Sequence, residues 1–175
     1  MSHAQLENYL IDLIAEEQAK LGYQKESVRL YDPLESLRHF YDCMDSPEEM
    51  QQRLADFPEA VADTLGAVEI SHVKDRFCFL IPEAGVEYVH THRKANAFIE
   101  QLINLIAGHA SLDEVKELFL AQPEGCTFEA HSDGEFDLVV RFTEGEDPYL
   151  YCFKDEAGHV TYHRFLPADY EAFGF

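Results

Sequence analysis

Cations are what this sequence has least of. Thirteen Lys and Arg face 34 Asp and Glu in 175 residues, a formal net charge of −21. Phosphate backbones and anionic bilayers are held by clustered cations, so the deficit argues against DNA, RNA or a membrane surface as partner. Long apolar runs are also missing. Stretches such as "LINLIA" fall far short of the roughly 20 apolar residues a membrane helix needs. The first residues, "MSHAQLENYLIDLIAEEQ", have no basic segment ahead of an apolar one, so no export signal is expected. Cysteine is sparse. Cys43, Cys78, Cys126 and Cys152 lie far apart with no CxxC pair, which reads as four reduced thiols in a cytoplasmic protein. Glycine never clusters into a Walker loop or a G-x-G-x-x-G, and no G-x-S-x-G occurs. No cofactor is expected, and the reading leans away from an enzyme.

What remains is a globular chain: 46% hydrophobic residues, enough for one core, expected as a single domain over residues 1–175. Residues 4–20 carry Leu6, Tyr9, Leu10, Leu13 and Ile14 on one helical stripe. "YDPLESLRHFYD" offers Asp32 as N-cap and Pro33 as the first helical residue. "DSPEEMQQRLADFPEAVADTLG" repeats that device at Ser46 and Pro47, with a kink or a break predicted at Pro58. The period then shortens. "AVEISHVKDRFCFLI" reads as two strands around Lys74-Asp75, and "VEYVHTH" as a third. "NAFIEQLINLIAGH" should be the most buried helix, and "SLDEVKELFLAQ" opens on a capping box of Ser111 and Glu114. Four strands follow, "CTFEAHS", "EFDLVVRF", "PYLYCF" and "HVTYHRF", the first two joined by an Asp133-Gly134 turn. A short helix, "PADYEAF", comes last. Strands joined by short turns without βαβ alternation predict an α+β fold: N-terminal helices, then antiparallel meanders separated by a helix pair.

"YDPLESLRHFYD", "EISHVKDRFCFLIPEAGVEYVH" and "YCFKDEAGHVTYHRFLPADYEAFGF" together resemble a bacterial domain-of-unknown-function family of small cytoplasmic proteins. The likeness runs nearly end to end and rests on structural phrases. It implies a bacterial, single-domain protein and carries over no functional residue.

Chemistry has few places to reside. Read as a strand, "VEYVHTH" puts His90 and His92 on one face, and "HVTYHRF" adds His159 and His163. Two imidazoles one strand pitch apart chelate zinc if a third ligand converges, which is the case for a small metal-dependent hydrolase. The HxHxDH pattern of metallo-β-lactamase-like hydrolases fails here, because Lys94 and Ala95 stand where Asp and His belong. "INLIAGHASLDEVKELF" scans like a helix-turn-helix but presents Asp113, Glu114 and Glu117 where a DNA reader needs cations or amides. "HSDGEFD" lacks the spacing of a calcium loop.

The unusual feature is the acid map of the C-terminal meander. Between Glu117 and Phe153 nine acids, including Glu129, Asp133, Glu135, Asp137, Glu144, Glu146 and Asp147, are opposed by Arg141 alone. An acidic face of this kind suits a basic protein partner, in the manner of immunity or inhibitor proteins. A small ligand held under the aromatic residues Tyr149, Tyr151 and Phe153 is the remaining alternative. The sequence leaves the oligomeric state open.

Overall fold

The computed structural model describes residues 3–130 and 134–174. Helices and two antiparallel sheets make an α+β fold, as the sequence predicts. The contacts gather into two compact units, Met1–Asn96 and Ala97–Phe175.

In the first unit, α1 (His3–Leu21) buries Leu6, Tyr9, Leu10, Ile11 and Ile14 along the expected stripe. A strand that the sequence reading missed follows, β1 (Val28–Pro33). It leads straight into α2 (Leu34–Tyr41), whose N-cap is Pro33 and not Asp32. Asp32 is instead buried, 1% exposed, and its carboxylate accepts the Tyr9 hydroxyl at 2.8 Å. A buried carboxylate needs such a donor to offset its lost hydration. The short helices α3 (Pro47–Arg53) and α4 (Phe57–Ala60) break where Pro58 predicted, and α3 opens on a full capping box of Ser46 and Glu49. Met50, Leu54, Phe57, Val61 and Leu65 are all buried.

Strands β2 (Glu69–Val73) and β3 (Arg76–Ile81) pair through a two-residue turn in which Lys74 adopts φ 55°. The sheet order is β1-β3-β2, with Phe77, Phe79 and Ile81 wholly buried on its inner face. The expected third strand is a correction: "VEYVHTH" lies inside α5 (Glu83–His92). Val86 and Val89, three residues apart, are its buried positions, together with Gly85. Strand propensity measures fit to a pleated surface, and packing against α1 overrides it here.

In the second unit, α6 (Ala97–Ala107) and α7 (Leu112–Leu120) precede a meander of β4 (Cys126–Ala130), β5 (Leu138–Phe142), β6 (Leu150–Glu156) and β7 (His159–Phe165). The helix α8 (Pro167–Ala172) ends the chain. The capping box at Ser111 and Glu114 forms as expected. Helix α6 is not the most buried one, since only Ile99 and Leu102 are buried while Phe98, Ile103, Leu105 and Ile106 are half-covered. Its apolar arc is wider than the stripe that packs.

One face of the meander holds the aromatic core. Phe119 of α7 is fully buried, with the rings of Phe98, Phe142, Tyr151 and Phe153 at centroid distances of 4.9, 5.3, 5.2 and 5.9 Å. On the other face Phe136, Val139 and Cys152 pack with Leu150, Phe165 and Tyr170 of α8. A two-residue turn joins β6 to β7, and in it Ala157 takes a left-handed φ of 56° ahead of Gly158.

Candidate functional site

His90 and His92 do not share one face as a strand reading implies. Each helical residue turns about 100°, so His90 and His92, two apart on α5, project to opposite sides. His90 lies flat against Tyr23, with centroids 3.9 Å apart at 5°. His92 stacks on Tyr88 at 4.4 Å, and its Nδ1 donates to the Tyr88 carbonyl at 3.0 Å. His159 and His163 occupy one face of β7 in the other unit, four residues and roughly 13 Å apart. His163 sits between the rings of Phe136 and Phe165. Among the described residues no group of three or more His, Cys, Asp or Glu is placed to hold a metal ion.

The acids of the meander divide by location. Strand register sets Glu135, Asp137 and the start of β5 at one end of the sheet, beside Asp155 and Glu156 at the β6–β7 turn. Glu144, Glu146 and Asp147 lie in the β5–β6 connection at the opposite end, roughly 14 Å away along β5. Glu129 is on β4, exposed, and near enough to Tyr170 to raise the phenol's pKa after burial and Cys152 have done so. Asp133 falls outside the described residues.

Two of these acids have work inside the fold. Asp137 accepts the Asp155 backbone N–H at 2.8 Å and pairs with Lys154 at 3.6 Å, tying β5 to β6. Asp147 accepts the Tyr149 N–H at 2.9 Å and the Tyr151 hydroxyl at 2.5 Å. Burial, then the Asp147 charge, push the Tyr151 hydroxyl far up, so it stays a donor to that carboxylate. Asp155 closes its own turn by accepting the Gly158 N–H at 2.8 Å. Among the described residues the Glu135 and Glu156 carboxylates are held by no partner, at the end where Lys154 is already paired with Asp137. Counting acids only to Phe153 left Asp155 and Glu156 out of the sequence reading.

In the aromatic meander Tyr151 and Phe153 are fully buried core residues, and Tyr149 is nearly so. A cleft of about 290 Å³ opens elsewhere, in the first unit, between the end of α1, the start of β1 and α5. Ile14, Leu21, Val28, Leu30 and Val86 give it an apolar wall, and Glu17, Glu26 and Arg29 a charged rim. At its back the Gln18 amide donates to the Val86 carbonyl at 3.0 Å. No sequence motif marked this cleft; it is made by β1, which the capping signal at Asp32-Pro33 had hidden.

The four cysteines are free thiols, three of them half-exposed. Cys152 is fully buried, and burial pushes its thiol up to about 12. Thiolate is the reactive form, so a disulfide reagent at pH 8 should titrate Cys43, Cys78 and Cys126 well before Cys152 and count four after denaturation. A native protein that releases all four at one rate would contradict this burial.

No helix among the described residues is long and apolar enough to cross a membrane. Residues 3–174 match the model of a family described as a domain of unknown function, from an E. rectale gene description (DUF3877). No curated protein and no solved structure matches the chain.

Proposed function

Since the chain belongs to this family of unknown function, its geometry has to speak for it, and we propose that it is a binding module whose acidic hairpin end receives a cationic segment of a protein partner. The observation that carries this reading is the charge at the end of the sheet where β5 begins and β6 turns into β7. Glu135, Asp137, Asp155 and Glu156 lie at that end, and Lys154 is paired with Asp137. Glu135 and Glu156 are exposed and belong to no apolar face, so nothing in the fold requires them to be acids. The net charge of −21 adds a long-range field that draws cations and speeds their encounter. The Glu144–Asp147 end serves the fold in part, through Asp147, and is the weaker candidate.

A lysine-rich peptide of about 20 residues is a direct probe, titrated at low salt and again at 0.3 M. Amide signals of residues 134–137 and 155–158 should shift together, and affinity should fall as salt shortens the screening length below about 8 Å. Glu135→Lys with Glu156→Lys should keep the fold and cost about tenfold or more in affinity. Equal binding by the reversed protein, or shifts spread evenly over the surface, would leave the acids as a solubilising coat and end the proposal.

A further inference from the structure

The free edge of β1 and the cleft beside it form a second place where a partner fits, and we infer that an extended peptide from another protein adds there as a fourth strand. The hydrogen-bonding phase of β1 is fixed. Leu34 N–H donates to the Asp75 carbonyl at 2.6 Å, continuing the pairing in which Asp32 faces Phe77, Leu30 faces Phe79 and Val28 faces Ile81. Alternation then assigns the main-chain groups of Val28, Leu30 and Asp32 to β3. Those of Arg29 and Tyr31 turn away from the sheet, on its outermost strand. No main-chain hydrogen bond beyond the sheet engages residues 28–33 among the described residues. The opposite edge is treated differently, since the Gln51 amide donates to the Ile70 carbonyl of β2 at 3.4 Å. Natural sheets cover or block their edges, and an edge left open beside a cleft is how extended peptides are captured.

The cleft states what such a peptide carries. An added strand presents alternate side chains to each face of the sheet. Those on the inner side meet the apolar wall of Ile14, Val28, Leu30 and Val86, and a branched aliphatic side chain fills it. Among the described residues Glu17 and Glu26 stand at the rim in no ion pair, while Lys25, next to Glu26, is held by Glu83 at 3.5 Å and Glu87 at 3.9 Å. The next inward position therefore wants Lys or Arg. Side chains on the outer side lie beside Arg29 and Tyr31, so polar residues suit them. A second copy of this chain is disfavoured as occupant by the repulsion of two bodies at −21 each.

A blocked octapeptide alternating threonine with valine and lysine tests the idea, with amide hydrogen exchange as readout. Saturating peptide should slow exchange at Arg29 and Tyr31 at least about tenfold, while Val28 and Leu30, already bonded to β3, change little. The same peptide with N-methyl groups on its pairing edge keeps the charge and should not protect them. Arg29→Pro deletes an outward donor, and Arg29→Ala removes the same rim charge while keeping the N–H, so the proline variant should bind about tenfold more weakly than the alanine variant. Should the proline variant misfold, the N-methylated peptide still decides. Glu17→Lys with Glu26→Lys should weaken binding too, and Glu135→Lys with Glu156→Lys should leave it unchanged, separating this site from the hairpin end. Binding without protection at Arg29 and Tyr31, or no binding, overturns the inference. So does protection that grows with protein concentration in the absence of peptide, which would make a second copy the occupant.

Discussion

Gly85→Ala is expected to unfold the first unit or to cost it about 3 kcal/mol or more. A β-carbon built on Gly85 would stand 2.2 Å from the Leu65 carbonyl oxygen, 2.7 Å from its carbon and 2.9 Å from Ile81 Cγ2. The first two are backbone atoms and cannot rotate aside. Leu65 is fully buried, and Gly85 lies in the first turn of α5 with its N–H already bonded to the Pro82 carbonyl. Relief therefore requires α5 to move off the segment before β2, which would also pull Val86 from the cleft wall. Urea unfolding followed by far-ultraviolet circular dichroism measures the loss. Ala84→Ser, at an exposed neighbour, should be close to neutral. An unchanged midpoint for Gly85→Ala would mean that α5 does not approach Leu65 as described.

The second large effect belongs to the other unit. Phe119→Ala removes the ring on which Phe98, Phe142, Tyr151 and Phe153 converge, and should cost about 3–5 kcal/mol. The loss has two parts, the transfer free energy of the ring and the cavity that its neighbours fail to close. Phe119→Leu keeps most of the volume and should cost about 1.5 kcal/mol or less. Near-ultraviolet circular dichroism reports the tyrosines, so the alanine variant should lose the signal of Tyr151 before its helices melt. Equal stability of the two variants would show that packing around this ring is not what holds the meander to α7.

The four C-terminal strands, the capping box at Ser111 and an interruption near Pro58 were legible because each is signalled within a few residues of itself. The β-branched run in "DLVVRF", alternation in "HVTYHRF", Ser111 three before Glu114, and Pro58 itself need no distant partner. The errors arose where two local signals competed or tertiary packing decided. In "SVRLYDPLE" the strand alternation of Val28, Leu30 and Asp32 was present, but Asp-Pro is also a helix start, and it was given both residues. In "VEYVHTH" the β-branched and aromatic residues suit a strand. The helix forms because Gly85 permits contact with Leu65 and because Val86 and Val89 then share one buried side. The histidine question disappears with that change, since a period of 3.6 separates what a period of 2 had joined. For the acids, the sequence showed their number but not their employment. Asp137 and Asp147 read as surface charge until the chain is folded and each is found holding a backbone N–H.

Asp42, Lys74, His109 and Ala157 all hold the left-handed backbone that glycine or asparagine adopts with least cost. Ala157 is the plainest case, since an Asn-Gly pair in its place would suit the β6–β7 turn better than Ala-Gly does. A chain that keeps such residues at its corners has not been driven to the limit of its own thermodynamics. Gly85 and Phe119 leave little room for substitution, and the turns are where stability can be added at least cost to packing.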